Sequence, residues 1–188
     1  MQLYLVRHTR LAIADGICYG QSDVPVAASF DQDWPPVAAK LAVIQADAHY
    51  SSPLQRCTQL AKQLQLSNLH LDARLMELQF GDWELQAWEA IDREALDTWS
   101  ADYVQHGPPN GESFMALYQR VGECLTQLQT QHRNQTVIVI THAGVIRAML
   151  AQLLSLPLTE VFKFQLDYGS VSLLNFNDAY SSIGYLNR

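Results

Sequence analysis

The sequence predicts an α/β fold, a three-layer sandwich around a mostly parallel central sheet with a helical cap segment. Three observations carry that expectation. Gln2–Val6 and Thr136–Ile140 are short, nearly continuous apolar runs of Leu, Val and Ile, as strands buried on both faces require. Helical stripes separate the strand candidates, and alternating strands and helices imply right-handed crossovers. Apolar residues make up 48% of a 188-residue chain, enough for one sizeable core and the usual size of one domain, so residues 1–188 are expected to form a single domain.

Weaker strand candidates are Asp47–Tyr50, Leu69–Leu71, Val171–Phe176 and Ile183–Leu186. Pro35-Pro36 suits a helix start, since proline lacks the N–H that a first turn leaves unpaired, and Val37, Leu41 and Ile44 then share a face. Leu54, Cys57, Ala61 and Leu64 repeat at helical spacing after Pro53. So do Trp88, Ile91, Ala95 and Trp99, then Phe114, Leu117, Val121, Leu125 and Leu128, and finally Ile146, Met149 and Leu153. These stripes read as core faces. Leu78–Gly111, with three of the four tryptophans, is expected to be mostly helical and to form the cap. Asp15–Pro25 is punctuated by Gly and Pro and reads as a functional loop.

The net charge of −7 repels nucleic acid and anionic membrane, so neither is an expected partner. An anionic substrate would need its cations gathered locally from only 12 Lys and Arg. Cys18, Cys57 and Cys124 fit neither a disulfide framework nor a Cys-x-x-Cys metal site and read as free thiols. The N-terminus lacks the order of a signal peptide, and His142 and Arg147 interrupt the most apolar later stretch, so a cytoplasmic protein is expected.

Two histidines follow the two strongest strands, His8 in Val6-Arg7-His8-Thr9 and His142 in Ile140-Thr141-His142-Ala143-Gly144. Ligands of open parallel sheets bind beyond the strands' carboxyl ends, so the two converge on one crevice. His142 also precedes a helix, whose first N–H groups favour an anion. Arg7 leaves a buried strand, and Arg56 follows Ser51-Ser52-Pro53-Leu54-Gln55 after another strand candidate. Guanidinium is a permanent, forked cation. Two Arg and two His in an acidic chain make an electropositive pocket.

Arg7-His8, then Ser52-x-Leu54-x-Arg56, then Glu77 ahead of Phe80-Gly81-Asp82-Trp83-Glu84, then Thr141-His142-Ala143-Gly144 together resemble the histidine phosphatase superfamily, also called phosphoglycerate mutase-like. The matches keep the family's order from Arg7 to Gly144. Cys18-Tyr19-Gly20-Gln21-Ser22-Asp23-Val24-Pro25 looks most like alpha-ribazole phosphatases within it. The resemblance implies a phosphoglycerate mutase-like sandwich and a metal-independent phosphomonoesterase without cofactor, acting on a small phosphorylated metabolite such as alpha-ribazole 5′-phosphate. It implies His8 as nucleophile, Arg7, Arg56 and a cationic His142 as phosphoryl ligands, and Glu77 as the acid. Tyr19 and Gly20 fall where relatives contact substrate. Asp82 and Glu84 are rival acids expected to be exposed in a polar turn, and Glu112 and Ser113 fit the first turn of the long helix.

Three rivals are weighed against hydrolysis. A mutase needs extra segments to keep water out, for which 188 residues leave little room. A phospholigand-binding domain has no need of Glu77. A metallohydrolase finds no His-x-His or His-Glu-x-x-His spacing here. The chain departs from the family at Thr9, where Gly is common, at Ala14, where many members place Asn, and at Leu85, where Gly is usual.

Overall fold

The computed structural model describes residues 1–188. Its sheet has six strands, β1 (Gln2–Arg7), β2 (Ala48–Ser51), β3 (Leu69–Leu71), β4 (Thr136–Thr141), β5 (Val171–Phe176) and β6 (Ser181–Tyr185), in the order β3-β2-β4-β1-β5-β6. The first four run parallel, β5 pairs antiparallel with β1, and β6 pairs antiparallel with β5. Helices cover both faces, so successive side chains of one strand enter different cores. Leu3, Leu5, Val137 and Val139 face α4 (Phe114–Gln131) and α5 (Ala143–Leu154). Val6, Ile138 and Ile140 face α1 (Phe30–Leu41) and α2 (Gln55–Gln63). The unbroken apolar runs of the sequence follow from this two-sided burial.

Two expectations fail locally. α1 begins at Phe30, five residues before Pro35-Pro36, and holds both prolines in its interior. The prolines and the residues four before them, Asp31 and Gln32, are exposed, so water replaces the missing hydrogen bonds. Leu78–Gly111 is mostly irregular. Its Trp88…Trp99 stripe divides between a single 3₁₀ turn at Trp88–Ala90 and α3 (Arg93–Ala101), because the Asp92 carboxylate accepts from Ala95 N–H and starts a new helix. Its tryptophans pack edge-on or stacked against one another, around buried Cys18 and Ile91. The cap's backbone bonds run to the Asp15–Pro25 loop, from Cys18 N to Gln86 O and from Trp88 N to Gly16 O. All three cysteines are free and buried. No helix is long and apolar enough to cross a membrane.

Candidate active site

β2, β4 and β1 are neighbours in the sheet, and at their carboxyl ends the chain delivers Arg56, His142 and Arg7-His8. The His8 and His142 rings stand 5.1 Å apart, edge to face. Arg56 Nε lies 3.2 Å from His142 Nδ1. Residues more than a hundred positions apart in sequence thus share one pocket. His8, Arg56 and His142 are all but inaccessible to solvent.

The hydrogen bonds fix both imidazole tautomers. His8 Nδ1 is 2.8 Å from the Thr9 carbonyl oxygen, which can only accept, so the proton sits there and the Nε2 lone pair is free. Burial, then the charges of Arg56 and Arg7, hold the His8 pKa well below its ordinary value. His8 is therefore a neutral imidazole with its nucleophilic nitrogen uncommitted. Arg56 Nε can only donate, so His142 Nδ1 accepts, and His142 Nε2–H donates to Ser52 Oγ at 2.8 Å. Burial, His8 and Arg56 push the His142 pKa well down too. The expected cationic His142 is thus corrected to a neutral one, because a second charge beside Arg56 in a dry pocket is too costly.

The positive charge comes from arginines without counter-ions. Arg56 is fully buried, donates to the carbonyls of Ser22 and Gly20, and has no carboxylate partner. Arg7 donates to Leu166 O and lies 3.8 Å beneath the Tyr168 ring, its buried Nε unpaired. Tyr168 is also 5.5 Å from the His8 ring, and its hydroxyl meets that of Tyr19 at 2.6 Å. That contact joins the Asp15–Pro25 loop to the ring that covers Arg7 and His8. Tyr19 itself stands 5.8 Å from the Arg56 guanidinium.

Glu77 reaches the N-terminus of α5, where its Oε2 accepts from Gly144 N–H at 3.1 Å and its Oε1 from Leu78 N–H at 3.0 Å. A Cβ at Gly144 would fall 2.2 Å from Glu77 Oε1. Only glycine lets the carboxylate approach the first turn so closely.

The rival acids are placed differently. Asp82 is exposed and accepts from Asn110. Glu84 is half-buried, contrary to expectation, because it gathers the backbone N–H groups of Gln21, Ser22 and Phe80 and the Ser22 hydroxyl. It fastens the Asp15–Pro25 loop to the cap. Gly20 sits inside that junction, where a Cβ would meet Leu78 O at 2.0 Å. Its carbonyl aims Arg56. Ser113 caps α4 by accepting from Ala116 N–H, whereas Glu112 lies outside the first turn and pairs with Arg120. Thr9 is buried and Ala14 exposed.

Tyr168 and the anchoring function of Glu84 escaped sequence reasoning, and Ser52 entered it as a motif residue without a role. Tyr168 had one visible signal, an aromatic in an Asp-Tyr-Gly turn ahead of a strand. No group of three or more His, Cys, Asp or Glu is placed to hold a metal ion.

A family profile, the histidine phosphatase superfamily (branch 1), matches residues 3–188. The chain is 29% identical over 195 residues to the adenosylcobalamin/alpha-ribazole phosphatase of Escherichia coli K12, covering 100% of this chain and 96% of that one. It is 29% identical over 157 residues to phosphoserine phosphatase 1 of Hydrogenobacter thermophilus, covering 80% and 74%. Among solved structures it resembles the alpha-ribazole phosphatase from Shigella flexneri with a TM-score of 0.89 and 28% identity, over 100% of this chain and 96% of that one.

Proposed function

Because the chain belongs to the histidine phosphatase superfamily, whose members here are phosphatases, we propose that it hydrolyses a small phosphomonoester through a phosphohistidine at His8. The single observation that carries this is the free Nε2 lone pair of a neutral imidazole set among two arginines without counter-ions. We take residues 1–188 as one catalytic domain, since both helical layers pack on one sheet. Alpha-ribazole 5′-phosphate is the first substrate to try, because two relatives similar to this chain along its whole length carry that name.

His8 Nε2 attacks phosphorus as the bond to the leaving oxygen breaks, and Glu77 in its acid form supplies that oxygen's proton. Arg7 and Arg56 neutralise the phosphoryl oxygens, and the His142 Nε2–H, shared with Ser52, donates to one of them. The developing charge needs positioned donors more than a covalent partner, which these side chains and the α5 N-terminus provide. Water then attacks the phosphohistidine, Glu77 takes its proton, and His8 is released neutral with inorganic phosphate. Tyr19 serves this site through Tyr168 and Gly20 through Arg56.

Rapid quench with labelled substrate tests the scheme. An acid-labile, base-stable phosphoryl adduct on His8 is expected during turnover. Label on a serine or aspartate, or turnover without any adduct, overturns it.

A further inference from the structure

Glu77, the acid of the scheme above, lies on a stretch of chain that neither sheet nor helix holds. β3 ends at Leu71, a short 3₁₀ turn spans Ala73–Leu75, and residues 76–80 are irregular. No backbone N–H meets the carbonyls of Arg74, Met76 or Glu77. Irregular backbone packed against a core needs its polar groups paired, and here one side chain pairs all three.

Arg120, in the second turn of α4, turns its guanidinium onto this stretch. Nη1 donates to Arg74 O and to Met76 O, both at 2.7 Å, and Nη2 donates to Glu77 O at 2.9 Å. The remaining donors, on Nε and Nη2, go to the two carboxylate oxygens of Glu112 at 3.0 and 2.5 Å. A guanidinium carries about five N–H groups and no acceptor, so none is left over. Glu112 in turn grips the far side of the acid. Its Oε1 accepts from Gln79 N–H and its own N–H donates to Gln79 O, both at 3.0 Å. One ion pair thus brackets Glu77 from residue 74 to residue 79, with only 19% and 16% of its two side chains exposed. From that fixed main chain the Glu77 carboxylate reaches the N–H groups of Leu78 and Gly144. Arg120 makes no hydrogen bond to His8, Arg7, Arg56 or His142.

Resting on the phosphatase reading, we propose that Arg120 and its partner Glu112 are positioning residues for the acid. They hold the Glu77 carboxyl where it meets the leaving oxygen, and they act on that proton transfer alone. Phosphoryl binding and attack by His8 do not depend on them.

The test compares kcat/KM, which reports the steps up to departure of the alcohol, on propyl phosphate and on para-nitrophenyl phosphate. Ki for inorganic phosphate is measured alongside. Arg120→Met keeps the bulk of the side chain and removes the donors. Displacing a reacting group by about an ångström costs on the order of a hundredfold, and propyl phosphate should lose about that factor. The aryl ester, whose leaving group needs little protonation, should lose less than about threefold, and Ki should stay within about twofold. Arg120→Lys, a point charge without the fork, should fall between the two. In the Glu77→Gln protein the acid is already gone. Adding Arg120→Met there should cost propyl phosphate less than about threefold more, because residues acting through one step are not additive. Equal losses on the two esters, or a further loss of about a hundredfold in the Glu77→Gln background, overturn the inference and mark Arg120 as structural. Should Arg120→Met fail to fold, Glu112→Gln decides. It leaves Arg120 in place but loosens the bracket, and should give the same selective loss at about tenfold. The absence of a selective loss there overturns the inference. Activity of the unmodified protein on the aryl ester is the separate reference. Its absence overturns the phosphatase reading, whereas its presence without selective losses in the variants overturns this inference alone.

Discussion

Two residues, His8 and Glu77, divide the chemistry between a neutral base-like nitrogen and a carboxyl group at a helix N-terminus. Glu77→Gln removes the proton donor while leaving Arg7, Arg56 and His8 in place. It should slow an alkyl phosphate by about a hundred- to ten-thousand-fold, the usual range for general acid catalysis. An activated aryl phosphate, whose leaving group needs little protonation, should lose far less. Steady-state kinetics on the two esters check this, and equal losses would point to a misassigned acid. The pH profile follows from His8. Its proton leaves at a pH well below the ordinary 6.5, driven by burial and by Arg56 and Arg7. Facing it are also neutral His142 and the Tyr168 ring. The acid limb of kcat/KM should therefore fall below pH 6.5, after correction for the substrate's own phosphate ionisation at about 6. A limb at 7 or above would mean that His8 is stabilised as a cation.

At the scale of elements, the Asp15–Pro25 loop and the cap act as one part, joined by Glu84. Four donors converge on that carboxylate, and the same loop carries the Gly20 and Ser22 carbonyls that aim Arg56. Glu84→Ala strips the donors of their acceptor, which typically costs about 1–3 kcal/mol for each buried group left unsatisfied. The expected outcome is a lowered Tm together with a raised Ki for inorganic phosphate, since Arg56 loses its orientation. Asp82→Ala, on the exposed side of the same turn, is the control and should change both little. Calorimetry and product inhibition measure the pair. If phosphate affinity survives Glu84→Ala, the loop does not position Arg56. Capping explains the helices more simply. Ser113 and Asp92 begin α4 and α3 with side-chain acceptors, whereas α1 has no side-chain cap and its first-turn Asp33 pairs with Arg10.

Across the whole molecule, the site takes something from stability. Two buried histidines are held neutral, both with pKa values well below 6.5. In the unfolded chain they take up protons as pH falls through 6.5, while the native ones do not. The unfolded state then binds more protons, so stability drops with falling pH in the window below 6.5. Each histidine contributes a slope of up to about 1.4 kcal/mol per pH unit there. Thermal melts between pH 7.5 and 5.5 should show a declining Tm, and His8→Gln with His142→Gln together should flatten it. An unchanged slope in the double variant would place the acid sensitivity elsewhere. Neutral histidines are the condition for attack on phosphorus, so the same burial that weakens the fold in acid arms the nucleophile.

The sequence by itself determined the two buried strands, the α/β class, the family resemblance, and the gathering of His8, Arg7, Arg56 and His142. Those follow from apolar runs that only two-sided burial explains, and from residue types placed just past strand ends, where topology forces convergence. Trp88…Trp99 misled because helical spacing also fits a turn and a helix that Asp92 separates. Pro35-Pro36 misled because an exposed helix face can leave carbonyls to water. Only the tertiary structure decided the protonation of His142, the anchoring by Glu84 and the phenol bridge of Tyr168. Each depends on which donor faces which acceptor and on how much water remains between them. Those are properties of distance in the folded chain, and no residue pattern along the sequence encodes them.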